Sequence, residues 1–134
     1  MAIFATSTTR FSALVKYELE PAIGVCRESI IVNDVANTLR VGAVLGKVTA
    51  TGKYKLSASA AVDGSQVPVA VLIADYLGNS GDIVLAANTD TRALVLARGP
   101  VIVADAVLQL GTGTTAAAAA TALKALGILV ETAV

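Results

Sequence analysis

Few side chains in this sequence are of the kinds that perform chemistry. The chain has no histidine, which excludes an imidazole general base and a histidine metal ligand. Its single cysteine, Cys26, excludes an internal disulfide and a cysteine-based zinc site. The remaining candidates for catalysis are carboxylates, serines and lysines, and their spacing decides whether they act together.

The carboxylates have a simpler explanation than acid–base catalysis. Asp63, Asp82 and Asp90 stand in turn contexts beside glycine or threonine, where aspartate is favoured because its side chain bonds the nearby backbone. Asp75 and Asp105 each follow an apolar strand and are the less routine pair. Solvation at a strand end explains this pair better than a perturbed catalytic acid does. A hydrolase that uses these two acids stays open as a third alternative.

Two glycine-containing segments invite a phosphate-binding interpretation, and neither supports it. Residues 42–47, GAVLGK, have three residues between the glycines and a valine after the lysine, whereas a P-loop needs four and then serine or threonine. Residues 111–113, GTG, precede a helix, and a turn with a helix cap explains them more simply than a phosphate cradle. A serine nucleophile would need a lysine base, and Lys55, Ser57 and Ser59 would share one face of a strand, but an exposed strand face explains this spacing as well. We therefore predict that the chain is not an enzyme and binds no cofactor or metal.

Composition points to one apolar-rich domain that associates with other proteins. The 134 residues are 55% hydrophobic and 15% charged, and ten basic side chains balance ten acidic ones. A near-neutral surface favours association, so part of the apolar surplus is predicted to form a subunit contact. The thinly spread basic residues predict no nucleic-acid binding, and the uncharged stretch 106–123 is too polar to predict a membrane span. No secretory signal opens the chain, so synthesis in a reducing cytoplasm is expected.

Residues 1–20 differ from the rest of the chain. They contain no glycine, end before Pro21, and alternate in polarity from Phe11 to Leu19. This pattern is typical of an arm that becomes ordered against another molecule. Pairing with the domain's own sheet, or a frayed terminus, remains an open alternative. The predicted division is an N-terminal arm, 1–20, and a β-rich domain, 21–134.

From Cys26 onward, short apolar segments alternate with turn signals at roughly 8–12 residue intervals, which predicts a mainly β, small β-clip-like barrel. The apolar run Val67–Ala74 predicts a strand buried on both faces. Two further strands, Ile83–Leu85 and Ala93–Leu96, are predicted to form a hairpin. One short C-terminal α-helix is expected, capped by Thr114 or Thr115 and stopped by Gly127.

Three segments in this order resemble the head decoration proteins of tailed bacteriophages, the family that includes the lambda-type capsid-stabilising protein. They are LRVGAVLGKVTATGKYKL (39–56), DGSQVPVAVLIADYL (63–77) and ALVLARGPVIVADAVL (93–108). The helix end ALKALGI is similar as well, and the likeness extends from Ser29 to Ile128. Residues 1–20 match least.

The resemblance implies a β-clip fold and a homotrimer at local threefold positions on the outer capsid of the virion. It implies an arm that pairs with the major capsid protein and a shell stabilised against internal DNA pressure. The expected capsid-contacting residues are Ile3, Phe4, Phe11, Leu14 and Tyr17. Candidate residues for the trimer interface are Val101 and Val103 in the last strands, with Ala119 and Leu123 in the helix.

An alternative function belongs to another class. The bend at residues 42–47 also resembles β-clip modules that bind sugars or close over enzyme active sites, which implies a small-molecule or glycan binding module. Such a pocket usually needs an aromatic platform. The chain offers only five aromatic side chains, and three of them, Phe4, Phe11 and Tyr17, lie in the predicted arm.

Overall fold

The computed structural model describes residues 14–19, 26–75 and 82–131. In this part, ten β-strands, one α-helix and one 3-10 turn follow each other along the chain. The strands are β1 (Val15–Glu18), β2 (Arg27–Val32), β3 (Asn37–Leu39), β4 (Val44–Lys47), β5 (Tyr54–Leu56), β6 (Pro68–Asp75), β7 (Ile83–Leu85), β8 (Thr91–Leu96), β9 (Val101–Ala104) and β10 (Ile128–Glu131). The 3-10 turn Asp105–Val107 follows β9, and the helix α1 (Ala116–Lys124) precedes β10. The predicted mainly β fold with one short C-terminal helix is confirmed, while residues 1–13 of the predicted arm lie outside the described residues.

Five of the strands close into a small barrel in the order β2-β5-β4-β6-β8. Neighbouring strands are antiparallel, except that β2 and β5 meet in parallel through Val32 and Tyr54. Because successive side chains of a strand point to opposite faces, each barrel strand sends alternate residues into one interior cluster. That cluster includes Ile30, Val32, Leu45, Tyr54, Ala70, Leu72, Ala93 and Val95.

Three neighbouring strands of the barrel, β4, β6 and β8, are buried on both faces. In β6, Ala70 and Leu72 belong to the interior cluster, whereas Val71 and Ile73 belong to a second cluster outside the barrel. β4 and β8 divide their side chains between the two clusters in the same way. The two-faced strand predicted at Val67–Ala74 is therefore confirmed.

The second cluster lies between this barrel wall, a three-stranded sheet and the helix. The sheet has the order β1-β9-β10, with β1 antiparallel and β10 parallel to β9. Val101 and Val103 of β9, Leu123 of α1 and Ile128 of β10 are all buried in the cluster. This outer layer therefore buries these apolar side chains within the single chain.

The hairpin predicted between β7 and β8 is wrong. β7 pairs with β3 in a separate two-stranded ribbon, with Thr38 opposite Val84 at its centre. Both edges of β8 are already paired, one with β2 and the other with β6. The ribbon position is favoured because it buries Ile83 and Leu85 against the barrel's interior cluster.

The helix has the start and stop signals that the sequence predicted. The Thr115 hydroxyl oxygen accepts a hydrogen bond from the backbone N–H of Ala118 at 3.1 Å, which caps the first turn. Gly127 has a φ of +86°, the left-handed conformation that commonly ends a helix. The buried side of α1 presents Ala119 and Leu123 to the second cluster.

Gly46 lies where β4 passes against the loop that precedes β6. A Cβ atom at this position would overlap the backbone carbonyl of Ser65. Gly52 differs, since its φ is +72° and an added Cβ would meet only the Lys47 Cε, at 3.8 Å. Glycine is therefore required for space at Gly46 and for backbone conformation at Gly52.

We expect Gly46→Ala to lower the free energy of unfolding by about 3 kcal/mol, because the backbone on both sides of the contact must move. Gly52→Ala should cost about 1 kcal/mol, the penalty of a left-handed backbone for an L residue. Urea unfolding of both variants measures the difference. Equal losses would show that the Ser65 loop accommodates the extra carbon.

The loop between β5 and β6 is held by the Asp63 carboxylate. Lys55 Nζ lies 2.8 Å from Asp63 Oδ2, and the Ser65 hydroxyl and backbone N–H both donate to Asp63 Oδ1, at 2.6 Å and 3.0 Å. The Lys55 side chain is the largest cause, followed by Ser65, of a pKa of Asp63 well below its ordinary value. Folding therefore favours the ionised carboxylate.

A carboxylate whose pKa is depressed by folding stabilises the protein above its unfolded-state pKa, and this contribution is lost as the pH falls below that value. We expect the Tm of the protein to fall between about pH 4 and pH 2, and Asp63→Asn to flatten that fall. Asp82→Asn, which changes an exposed carboxylate elsewhere on the surface, is the matched control. A pH profile of Tm that is the same for Asp63→Asn and the parent would contradict this role.

Candidate functional site

The outer face of the three-stranded sheet carries a row of apolar side chains that meet solvent. Strand register places Tyr17 opposite Ile102, and Ile102 opposite Leu129, so the row crosses all three strands. Tyr17 is 48% exposed and Leu129 is 37% exposed, while Ile102 is half-buried between them. We call these three residues the apolar row.

The same sheet has an open edge at β10, since no other described strand pairs with it there. The Val101 N–H donates to the Gly127 carbonyl at 3.2 Å, which directs the Gly127 backbone toward β9. Backbone groups alternate in direction along a strand, so the N–H and C=O groups of Ile128 and Val130 point to the open edge. A groove of about 200 Å³ follows this edge, lined by Ala120, Thr121, Lys124, Leu129, Val130 and Glu131.

β1 begins, and β10 ends, at the same end of the three-stranded sheet. Val15, at the start of β1, lies opposite Val103. Glu131, at the end of β10, lies opposite Ala104, the next residue of β9. The chain that precedes β1 therefore enters at the end of the sheet where β10 ends, but at the opposite edge, with β9 between the two strands.

The root of the predicted arm is fixed to the domain by burial and by one ion pair. Leu14 is fully buried in the second cluster. Arg27 Nε and Nη2 donate to the two carboxylate oxygens of Glu18 at 2.7 Å and 2.8 Å, which joins β1 to the barrel strand β2. The Glu18 carboxylate raises the pKa of Arg27 through this hydrogen-bonded contact, and the Glu18 side chain is only 3% exposed.

The expected capsid-contacting residues fall into three groups. Ile3, Phe4 and Phe11 lie outside the described residues. Leu14 is a core residue of the domain, so its side chain is not available to another protein in this conformation. Tyr17 is exposed and belongs to the apolar row. Residues 14–19 thus pack on the domain's own sheet, one of the alternatives that the sequence left open.

The four residues predicted for the trimer interface are all buried within a single chain. Val101 is 1% exposed, and Val103, Ala119 and Leu123 are fully buried in the second cluster. A run of apolar residues predicts that its side chains are buried, but it does not predict whether the same chain or another subunit buries them. A contact between subunits remains a prediction, and it would use exposed side chains because these four are already enclosed.

Sequence reasoning missed Ile102, Leu129 and the open edge of β10. Ile102 stands between two buried valines in a continuous apolar run, so no alternation marks it as solvent-facing. The row exists only because three strands distant in the sequence pair in one register.

Cys26 and Ser65 have structural partners in the part of the chain that the structure describes, whereas Ser57 does not. Ser57 is fully buried and its Oγ has no hydrogen-bond partner among the described residues, so the exposed strand face expected for Ser57 is wrong. Cys26 is buried, with its Sγ 3.8 Å from the Pro100 carbonyl oxygen. Ser65 is fully buried and donates to Asp63 within its own turn. No group of three or more Cys, Asp or Glu side chains in the described ranges is arranged to hold a metal ion.

A second feature of the described residues with the size of a binding site is an open cleft of about 290 Å³. It lies between the loop after β2 and the β4–β5 turn, lined by Asn33, Asp34, Val35, Val48, Thr51, Lys53, Lys55 and Asn88. Asn33 and Lys53 both bind the Asp90 carboxylate, at 2.7 Å and 2.9 Å, and lower its pKa. The described lining has no aromatic side chain, so the cleft does not favour the glycan-binding alternative.

We expect the Glu18–Arg27 pair to show a coupling energy of about 1–3 kcal/mol in a double-mutant cycle, because removing one partner leaves a poorly solvated charge. The variants are Glu18→Gln, Arg27→Met and their combination, measured by urea unfolding. The exposed pair Arg98 and Glu28, 3.3 Å apart, is the control, with an expected coupling below about 0.5 kcal/mol. Additive losses at Glu18 and Arg27 would contradict the anchoring role.

The family model described as bacteriophage lambda head decoration protein D matches residues 5–129. No curated protein and no solved structure matched the chain. No helix among the described residues has the length and apolar character needed to cross a membrane. Head decoration proteins are structural components of the phage capsid, which places the protein in the virion. Because the match covers nearly all of the 134 residues, the chain belongs to the family of bacteriophage lambda head decoration protein D.

Proposed function

We propose that this protein binds the outside of a phage head as a homotrimer, at local threefold positions, and stabilises the shell against internal DNA pressure. The family match over residues 5–129 is the observation that carries the proposal. The proposed partner is the major capsid protein, and the proposed site of synthesis is the host cytoplasm. The balanced charge and the high apolar content suit a protein whose function is association.

The arm is the proposed capsid-binding element, and we now assign the capsid contact to a shorter segment than residues 1–20. Leu14 is buried in the domain, so the segment available to the capsid is residues 1–13. Fully extended, this segment spans about 40 Å. Its backbone would add a strand to an exposed edge of a capsid sheet, while Ile3, Phe4 and Phe11 fill pockets on that surface.

Avidity makes such an arm effective. Ordering a flexible segment costs on the order of 1–2 kcal/mol per residue, so a single arm is expected to bind weakly. Three arms on one trimer bind at a high effective concentration, and the overall affinity then exceeds that of one arm by about a hundredfold or more. The anchor transmits force on the arm to the domain, because Leu14 is buried in the second cluster and Glu18 is paired with Arg27 of the barrel.

The test compares the full chain with a variant lacking residues 2–13, by sedimentation velocity and by binding to shells assembled from the major capsid protein of the phage that encodes it. We expect both proteins to sediment as trimers and the shortened variant to bind shells at least about a hundredfold more weakly. The shortened variant keeps Leu14 and all of β1, and its circular dichroism and Tm should match the parent. A monomeric full chain, or undiminished shell binding by the variant, would overturn the proposal.

A further inference from the structure

We propose that the domain itself carries a second capsid-docking surface, at the open edge of β10, which accepts an extended, apolar segment of the major capsid protein as a fourth strand of the three-stranded sheet. This inference rests on the proposed function, since it takes the capsid protein as the arm's partner. It adds an element outside the arm.

The backbone geometry supports strand addition at this edge. Ile128 and Val130 direct their N–H and C=O groups away from β9, and no described strand pairs with them. Unpaired backbone groups on an edge strand are a template for another strand. In the described part of β10, no proline or bulge interrupts this edge, and β10 pairs with β9 in register throughout.

The side chains around the edge indicate what kind of segment fits. The groove beside β10 is lined on the helix side by the small residues Ala120 and Thr121 and on the strand side by Leu129 and Val130, whose side chains point to opposite faces of the sheet. Successive side chains of an added strand would alternate between this groove and the solvent-facing side of the apolar row. Lys124 and Glu131 flank the groove with opposite charges, which favours a segment without strong net charge.

The position of the chain end indicates the capsid protein as the occupant. Residues 1–13 precede β1 at the end of the sheet where β9 and β10 also end, and β9 lies between β1 and the open edge. A capsid surface that captures the arm close to β1 would face this end of the sheet. Tyr17 and Leu129 are the two ends of the apolar row, and both are exposed in the single chain. The same capsid surface would cover both side chains.

The experiment measures shell binding of full-length variants that retain the arm. Val130→Pro removes an N–H that points outward and therefore breaks no described hydrogen bond, and an edge strand tolerates such a proline. Leu129→Asp places a charge beside the edge without changing the backbone. Val62→Asp is the control, because Val62 is 95% exposed and lies in the loop before β6, outside the sheet.

We expect Val130→Pro and Leu129→Asp each to weaken shell binding by about tenfold or more, as for the central contact of an interface, while Val62→Asp binds like the parent. Tm and sedimentation velocity should remain those of the parent for all three variants. Hydrogen exchange of the parent should slow on shell binding over residues 128–131 and remain unchanged over residues 83–85.

The outcomes separate the two proposals. If the parent binds shells and Leu129→Asp binds equally well, with no slowing of exchange over residues 128–131, the second surface is overturned and the proposed function stands. If either edge variant changes the oligomeric state, the edge contacts a second copy and its assignment to the capsid protein is overturned. If the parent does not bind shells at all, both proposals fall.

Discussion

The structure depends on one barrel wall whose strands are buried on both faces. In β4, β6 and β8, alternate side chains fill the barrel interior, and the others form the core beneath the outer sheet and helix. A shift of one residue in any of these strands would exchange the two sets of side chains. The wall therefore fixes the barrel and the outer layer together, and it accounts for the high apolar content of a chain with few charges.

This arrangement gives the N-terminal region two distinct parts. Leu14 and Glu18 are held by the outer core and by Arg27 of the barrel, whereas the proposed capsid-binding residues precede them. If the arm were attached to a frayed terminus, force on the arm would first extend that terminus and only then act on the domain. Here β1 is an edge strand that pairs with β9, so force on the proposed arm would be carried by backbone hydrogen bonds and by the Glu18–Arg27 ion pair, in which the Glu18 side chain is buried.

The surfaces that remain open are consistent with a protein that functions by association. Polar side chains of the described loops mostly satisfy each other, as Asp63 does with Lys55 and Ser65, and Asp90 with Asn33 and Lys53. The outer sheet differs, because it presents an apolar row and unpaired backbone groups side by side. Edges of this kind are commonly protected in soluble proteins, and protection by a capsid strand is consistent with the proposed function.

The sequence by itself determined the features that depend on near neighbours. The Thr115 cap and Gly127 stop placed the helix, the run at 67–74 placed the two-faced strand, and turn spacing with three ordered segments indicated the fold class and family. Tertiary structure decided which strands pair, why Leu14 and Val101 are core residues, and where the apolar row lies. The reason is physical: local backbone preference and hydrophobicity are properties of a segment, whereas the partner that buries a face is selected by competition among segments distant in the chain.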